Sequence, residues 1–437
     1  MFGNYKLYPY LCSYKQFDND RVMITKEQFE KLADIELIEQ DGKLVYYGHL
    51  QLYSRKDVTE LPDNLKVFGW LNLRYSGVTK LPKGLEAEYW LDISGTEIEE
   101  LPEDTKFGDL YVCNMKNPFS FPKVLKVDGG VVCHYTTIKR MPEELYIEIS
   151  FDLLGSTFDK LPKVMEVGYE LCLYNTAITE LPEGLKEVYG RLDIRDTKIT
   201  TLNDNLVVYE EVYLCNTLIE ELPKGLIVGD ELDLRKTNLK DYSNLHKVCS
   251  RFIIDKEKYD EIKDTLAEHT NYNLEWYNEV HVTFEPNYKG AYLFENENGK
   301  YIKADENFGK ILEQKGNVYH IDMYGGGEIT YLITNDEGYW SHGDTLEEAK
   351  DDLSYKISDR NKDCYKDLTL DSELSFEDAI TCYRVITGAC SFGTRDFIEN
   401  RLGENRKDVY TIKEIINLTN GKYGNDVFKG FFVGVKY

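Results

Sequence analysis

The dominant pattern in the chain is a set of apolar positions that returns about every twenty residues. Between about residue 50 and residue 254, Leu-x-Leu pairs or their equivalents begin at 71, 91, 110, 131, 151, 171, 192, 212 and 232, at intervals of 20, 19, 21, 20, 20, 21, 20 and 20. Weaker copies flank them at Leu50/Leu52 and Phe252/Ile254. The shared form is L-x-L-x-x-T-x-I-x-x-L-P-x-x-L-x-V. In Leu71-Asn-Leu73 or Leu192-Asp-Ile194, alternation sends two aliphatics to one side and a polar residue to the other, as in a short strand. The Val or Ile five residues later (Val78, Ile98, Ile178, Ile199) turns back toward the same interior. Pro62, Pro82, Pro102, Pro122, Pro142, Pro162, Pro182 and Pro223 follow. Proline disfavours helix in the residue before it, so the return path is predicted to be extended or 3₁₀-like. One such unit cannot bury its own apolar side; stacked copies can.

A hydroxyl recurs in one slot, at Ser76, Thr96, Thr136, Ser156, Thr176, Thr197, Thr217 and Thr237, with Met115 interrupting the row. The register predicts these side chains to face inward at a strand-to-turn corner. There each can bond to backbone of its own or the next repeat, worth about 1 kcal/mol apiece.

The period and the Leu-Pro pair resemble the leucine-rich repeat family, in the short-repeat class of bacterial secreted effectors and of similar bacterial and phage proteins. The resemblance covers about 205 residues. It implies a leucine-rich repeat solenoid, with one parallel sheet lining a concave face and an extended or 3₁₀ convex side. The Ser/Thr row stands where that family usually carries an Asn ladder. Several of those effectors end in a ubiquitin ligase with a Cys-x-Asp motif, and this chain has no Cys-x-Asp.

On a sheet of that kind the outward residues follow from register. They are aromatic toward one end (Trp70, Tyr75, Trp90, Tyr111) and acidic toward the other. Arg74, Asp92, His134, Tyr135, Asp152, Tyr174, Asp193, Arg195, Tyr213, Asp233 and Arg235 complete the candidate partner-binding set. Tyr, Trp and Arg are the side chains enriched at binding hot spots. Ten strand spacings of about 4.8 Å and a width of about 15 Å give roughly 700 Å², close to the ~800 Å² one partner gives a standard interface. That is too broad for a small-molecule pocket. Asp193/Arg195 and Asp233/Arg235 could instead simply neutralise each other. Cys113, Cys172 and Cys215 are expected to be exposed on non-adjacent repeats, which disfavours a metal site, and Cys133 to be core.

The ends read differently. Residues 1–49 are expected to form an N-terminal α/β cap. Thr25-Lys-Glu-Gln28 is a capping box opening a helix through Leu32, and Asp41-Gly42 is a hairpin turn between Ile35-Glu-Leu-Ile and Leu44-Val-Tyr-Tyr. Residues 50–254 are the solenoid, and 255–269 a closing helix with Tyr259, Ile262 and Leu266 on one side. Residues 270–437 do not repeat and are expected to form an α+β domain. Val318-Tyr-His-Ile-Asp-Met, Ile329-Thr-Tyr-Leu-Ile-Thr and Tyr339-Trp-Ser predict strands, and Thr345-Leu-Glu-Glu348 a capping box opening a helix to about Tyr355. That segment resembles a HicB-type antitoxin domain over about 40 residues, which implies a protein-binding module. Ser375-Phe-Glu-Asp378 and Thr411-Ile-Lys-Glu414 open two more helices.

Charge narrows the function. Lys and Arg total 52 and Asp and Glu 78, a net −26. Residues 1–250 and 251–437 each carry −13, so there is no acidic tail. Such a chain repels DNA, RNA and anionic membranes at long range, and a basic protein partner is favoured. No apolar run is long enough to span a bilayer. The first residues lack the pattern of a secretory signal. Nine scattered cysteines without a Cys-x-x-Cys pair point to reduced thiols and a cytoplasmic setting.

No cofactor or metal motif stands out. His342-Gly-Asp344 and Gly388-Ala-Cys390 invite an enzymatic reading, but no spacing supplies Cys390 with a partner base. Gly325-Gly-Gly lacks the Lys-Ser/Thr of a P-loop. The expectation is a non-enzymatic protein that captures or sequesters a folded, basic protein, by analogy with phage and bacterial proteins an inhibitor of a cellular or defence protein. The alternatives are an enzyme in the C-terminal domain targeted by the repeats, and an acidic mimic of nucleic acid.

Overall fold

The computed structural model describes residues 24–266, 270–274, 279–325, 329–335, 337–357, 362–389, 391–403, 406–422 and 424–433. Its first part is a parallel β-solenoid of about ten turns with a period near twenty residues. The Leu-x-Leu pairs form one ladder. Leu50, Leu71, Leu91, Leu110, Val131, Phe151, Leu171, Leu192, Val212, Leu232 and Phe252 pair in register from each turn to the next.

A second parallel ladder runs on the return path, built from the L-x-V element that follows Leu-Pro. Val67, Ala87 and Phe107 pair in one stretch. Leu125, Leu145 and Met165 pair in another, and Val188, Val208 and Val228 in a third. The return path is thus extended, as expected, but it also makes inter-turn hydrogen bonds. The interior is packed from all sides. Within one turn, Leu71, Leu73, Val78, Leu81, Leu85 and Ala87 are each no more than 2% exposed.

The hydroxyl row is internal, as its register predicted. Thr96, Thr176, Thr197 and Thr217 are buried and donate to the carbonyl three residues back, at 2.6, 2.8, 2.7 and 2.8 Å. Thr136 and Ser156 instead reach the preceding turn, donating to the Val112 carbonyl at 2.7 Å and the Cys133 carbonyl at 2.5 Å.

Beside this row, one residue per turn adopts a left-handed backbone: Ser54, Tyr75, Gly95, Asn114, Tyr135, Gly155, Asn175, Asp196, Asn216 and Lys236. Gly and Asn take this conformation at little cost, which explains their recurrence there. Where Leu-Pro becomes Leu202-Asn203, the Asn203 amide donates to the Pro182 and Leu185 carbonyls at 2.7 and 2.8 Å.

The N-terminal segment has the expected local structure. Helix α1 (Lys26–Ala33) starts in the Thr25–Gln28 capping box. Its Phe29 is fully buried in the apolar cluster of the solenoid. Ile38–Gln40 and Lys43–Tyr46 form the hairpin around Asp41-Gly42. At the other end, α2 (Lys256–Ile262) is shorter than the helix expected to run to His269, which itself lies outside the described residues. Strand Glu279–Phe284 pairs antiparallel with Cys249–Asp255, so the last turn is covered by strand as well as helix.

An antiparallel six-stranded meander follows (Tyr292–Asn296, Gly299–Ala304, Asn307–Lys315, Val318–Asp322, Ile329–Thr334, Trp340–Gly343). Helix α3 (Leu346–Ile357), boxed by Thr345 and Glu348, packs Ala349 and Leu353 on Ile333. The remaining helices are α4 (Phe376–Thr387), α5 (Ser391–Phe397), α6 (Ile412–Leu418) and α7 (Asn425–Val433). No helix among the described residues is long and apolar enough to cross a membrane.

The hydroxyl geometry predicts unequal costs within the row. Thr136→Val removes a bond across turns at a fully enclosed corner and should cost about 2 kcal/mol. Thr197→Val removes only a local bond and should cost about 1 kcal/mol. Urea denaturation midpoints of the two variants, with the slopes unchanged, check the order.

Candidate functional site: an aromatic corner on the solenoid

The chain makes a corner between the second ladder and the first, and the aromatic residues gather on it. Each turn contributes the same positions, so rings from successive turns lie over one another. His49 stacks on Trp70 at 4.8 Å and 5°, and Trp70 on Trp90 at 4.8 Å and 5°. Tyr111 meets Trp90 edge-on at 6.0 Å. One step back along the chain, Tyr47 stacks on Phe68 at 4.9 Å and 6°, and Lys66 lies over Phe68 at 4.5 Å. Tyr47 and Tyr89 are 57% and 58% exposed. The rings are held by a β-ladder and by one another, so little ordering remains to be done on contact.

Of the candidates read from register, Trp70, Trp90 and Tyr111 belong to this stack. Tyr47, His49, Phe68 and Tyr89 were not among them. They lie one to three residues before the ladder residues Leu50, Leu71 and Leu91, on the corner itself, outside the strand alternation from which outward positions are read.

Elsewhere on the face, the side chains engage one another. Asp92, Asp193 and Asp233 were expected to point outward to a partner, but they are 8%, 5% and 0% exposed. Each folds down to accept from the backbone N–H two residues on, at 2.8, 3.1 and 3.0 Å. Asp152 does the same at 3.0 Å and also meets His134 Nε2 at 2.6 Å. Burial pushes the Asp152 carboxyl up, but hydrogen bonds from His134 and the Leu154 N–H outweigh this and leave it below the usual range.

Arg195 binds Asp193 through two nitrogens, Nε at 2.9 Å and Nη2 at 2.5 Å. It also lies between Tyr174 at 4.9 Å and Tyr213 at 5.0 Å. Arg235 clamps Asp233 and pairs with Glu279. Arg74 covers its neighbour Tyr75 at 5.2 Å. The Tyr75 and Tyr135 rings lie against Gly95 and Gly155 of the next turn, where an added Cβ would fall 2.1 and 2.5 Å from ring carbons. The mutual neutralisation of Asp193/Arg195 and Asp233/Arg235 is therefore what the geometry shows. These acids do not supply an open negative surface on the first ladder.

Among the described residues there is no group of three or more His, Cys, Asp and Glu side chains placed to hold a metal ion. Cys133 is core, as expected, but Cys172 is buried too and Cys113 and Cys215 are half-buried. Burial raises all four thiols above their ordinary range. Cys390 and most of Gly325–Gly327 lie outside the described residues.

Towards the last turns, the same corner is already occupied. Tyr189 and Tyr209 stand one residue after Val188 and Val208 of the second ladder, as Tyr47 and Phe68 stand one residue after the paired Tyr46 and Val67. Their ring centroids are 4.9 Å apart. The meander sheet docks on them through Phe294, Tyr301 and Phe308, with Tyr209 5.2 Å from Phe308. Gly229, on the following turn, admits Phe308 so closely that a Cβ would sit 2.6 Å from its ring. Lys303–Asp230 at 2.6 Å and Lys224–Glu297 at 3.0 Å border this contact. One copy of the aromatic corner is thus covered by a folded sheet, and the other is left uncovered by the described residues. No family model, curated protein or solved structure matches this chain.

Two predictions follow from the charges. Asp233→Ala leaves Arg235 short of a fully buried partner and should destabilise by about 3 kcal/mol, measured as a thermal or urea shift. Glu86 lies among Lys43 at 2.7 Å, Lys106 at 3.1 Å and Lys66 at 3.4 Å. Burial pushes its carboxyl up, yet Lys43 and Lys106 overcome this and hold it at about 2. A depressed carboxyl stabilises the fold above the unfolded value of 4.5 and loses that contribution as pH falls toward 2. Glu86→Gln should therefore cost on the order of 1 kcal/mol at neutral pH after solvent screening, and nearly nothing near pH 2. Urea titrations of both proteins across that range would show whether the difference closes.

Proposed function

We propose that this chain is a non-enzymatic protein-binding protein of the leucine-rich repeat kind, which captures or sequesters a folded protein on its N-terminal aromatic corner. On this reading α1 and its hairpin form the cap of the solenoid. The observation that carries the proposal is the internal comparison: the corner that presents Tyr189 and Tyr209 to the meander sheet carries, among the described residues, exposed Tyr47, His49 and Tyr89 around half-buried Phe68, Trp70 and Trp90. A stacked, pre-ordered row of aromatic side chains at one end of a rigid rod is the composition of a hot-spot cluster. The net charge of −26 supports a basic partner through steering and rim contacts. Because the first-ladder acids are internally paired, that charge acts from the exposed turns around the corner. The meander and α3, whose sequence resembles a HicB-type domain, would add a second protein-binding element.

The test is capture of partner proteins from lysate by the full chain and by Trp70→Ala, Trp90→Ala and Phe68→Ala variants, followed by affinity measurement on the captured protein. Each substitution should weaken binding by about thirtyfold, the ~2 kcal/mol of a hot-spot residue, with the melting temperature little changed. Undiminished affinity in all three variants would overturn the corner as the site. Steep loss of affinity with salt but not with these variants would favour an acidic mimic of nucleic acid.

A further inference from the structure

A cavity of about 390 Å³ lies between the meander sheet and the C-terminal helices. It is separate from the solenoid corner and does not depend on the function proposed for it. The seam is tied by two ion pairs, Arg384–Asp352 at 2.7 Å and Arg395–Glu348 at 3.1 Å, which join α3 to α4 and α5. Between them and the helical core the walls stand apart. Ile380 and Tyr383 of α4, Phe397 of α5, Leu402 and Ile415 make an apolar lining. The volume falls in the range of about 300–1,000 Å³ typical of small-molecule sites.

Charge is distributed unevenly around this space. At its buried end, Asp305 accepts Lys356 and also holds His342 Nδ1 at 2.7 Å. All three side chains are only 11–13% exposed, and Lys356 also donates to the Trp340 carbonyl at 3.0 Å. The carboxylate there answers the lysine, so both groups are already engaged. At the solvent side stand exposed Arg401 and Lys422, with exposed Glu306 as the acid on the same lining. Among the described residues neither cation has an ion-pair partner. Among the described residues the exposed side of the lining thus carries two cations and one acid, in a chain of net −26.

We infer that this cavity binds a small amphiphile with an apolar body and a single acidic head group, the body lying along Ile380 and Phe397 and the acid at Arg401 and Lys422. An isolated acid would gain little from two exposed cations, and an apolar body alone would leave them unused. The combination selects for both.

Fluorescence titration of the full chain with dansyl-undecanoic acid tests this. The expected result is saturable, blue-shifted emission, displaced by dodecanoate at least tenfold more effectively than by dodecanol. Ile380→Trp, which fills the cavity, should abolish it. The double variant Arg401→Gln/Lys422→Gln changes only exposed positions, so folding is not at stake. It should weaken dodecanoate displacement about tenfold and leave dodecanol unaffected. Absence of saturable binding, equal displacement by the alcohol and the acid, or full binding by both variants would overturn the inference.

Discussion

Everything in the solenoid depends on each turn reversing at the same place as the turn beneath it. The backbone bonds that join turns keep one register, each N–H reaching the carbonyl just before its partner residue in the next turn, as in Leu50 N–H to the Trp70 carbonyl at 2.9 Å and Leu110 N–H to the Gly130 carbonyl at 2.9 Å. Such bonds form only if the corners coincide. The left-handed residue after each first-ladder strand and the hydroxyl beside it fix that corner. Where a turn has 19 residues, the shortage is taken up at the other corner, between Ala87 and Trp90, as an irregularity of pairing. The inward aliphatics therefore remain in line.

The same constraint produces the candidate site. Residues at one register position must stack, so an aromatic at that position becomes a column. Near the start of the rod the column is Tyr47 with Phe68 beside His49, Trp70 and Trp90; near the end it is Tyr189 with Tyr209. The second column is sealed by the protein's own sheet. Desolvation of those rings is thus an energetic precedent, within one molecule, for what contact at the first could yield. The cost of ordering has been met in both cases by the ladder.

Charge behaves less simply than its total implies. A net −26 does not say where the acids point. Asp193 and Asp233 are drawn inward because a carboxylate one residue into the strand can accept the N–H two residues on, and the Arg at that later position closes over it. Local geometry converts a row of apparent surface acids into internal fastenings. The excess cations at the C-terminal cavity are the reverse case, a small positive site within an acidic protein.

The sequence alone determined the solenoid, its period, its inward aliphatic positions and several helix starts and turns. Those features repeat or are set by neighbours in the chain: the Leu-x-Leu spacing, the Thr25, Thr345 and Thr411 boxes, and the Asp41-Gly42 turn. The strands from Val318 to Gly343 were legible for the same reason, whereas those from Tyr292 to Lys315 carry no comparable alternation. Only the tertiary structure decided that the return path forms a second ladder, because that requires carbonyls of the next turn to be in place. It also decided that Tyr47, Phe68 and Tyr89 join Trp70 and Trp90 on one corner while the strand acids turn away. Side-chain contacts across turns depend on the rise and twist of the rod, and no single repeat contains that information.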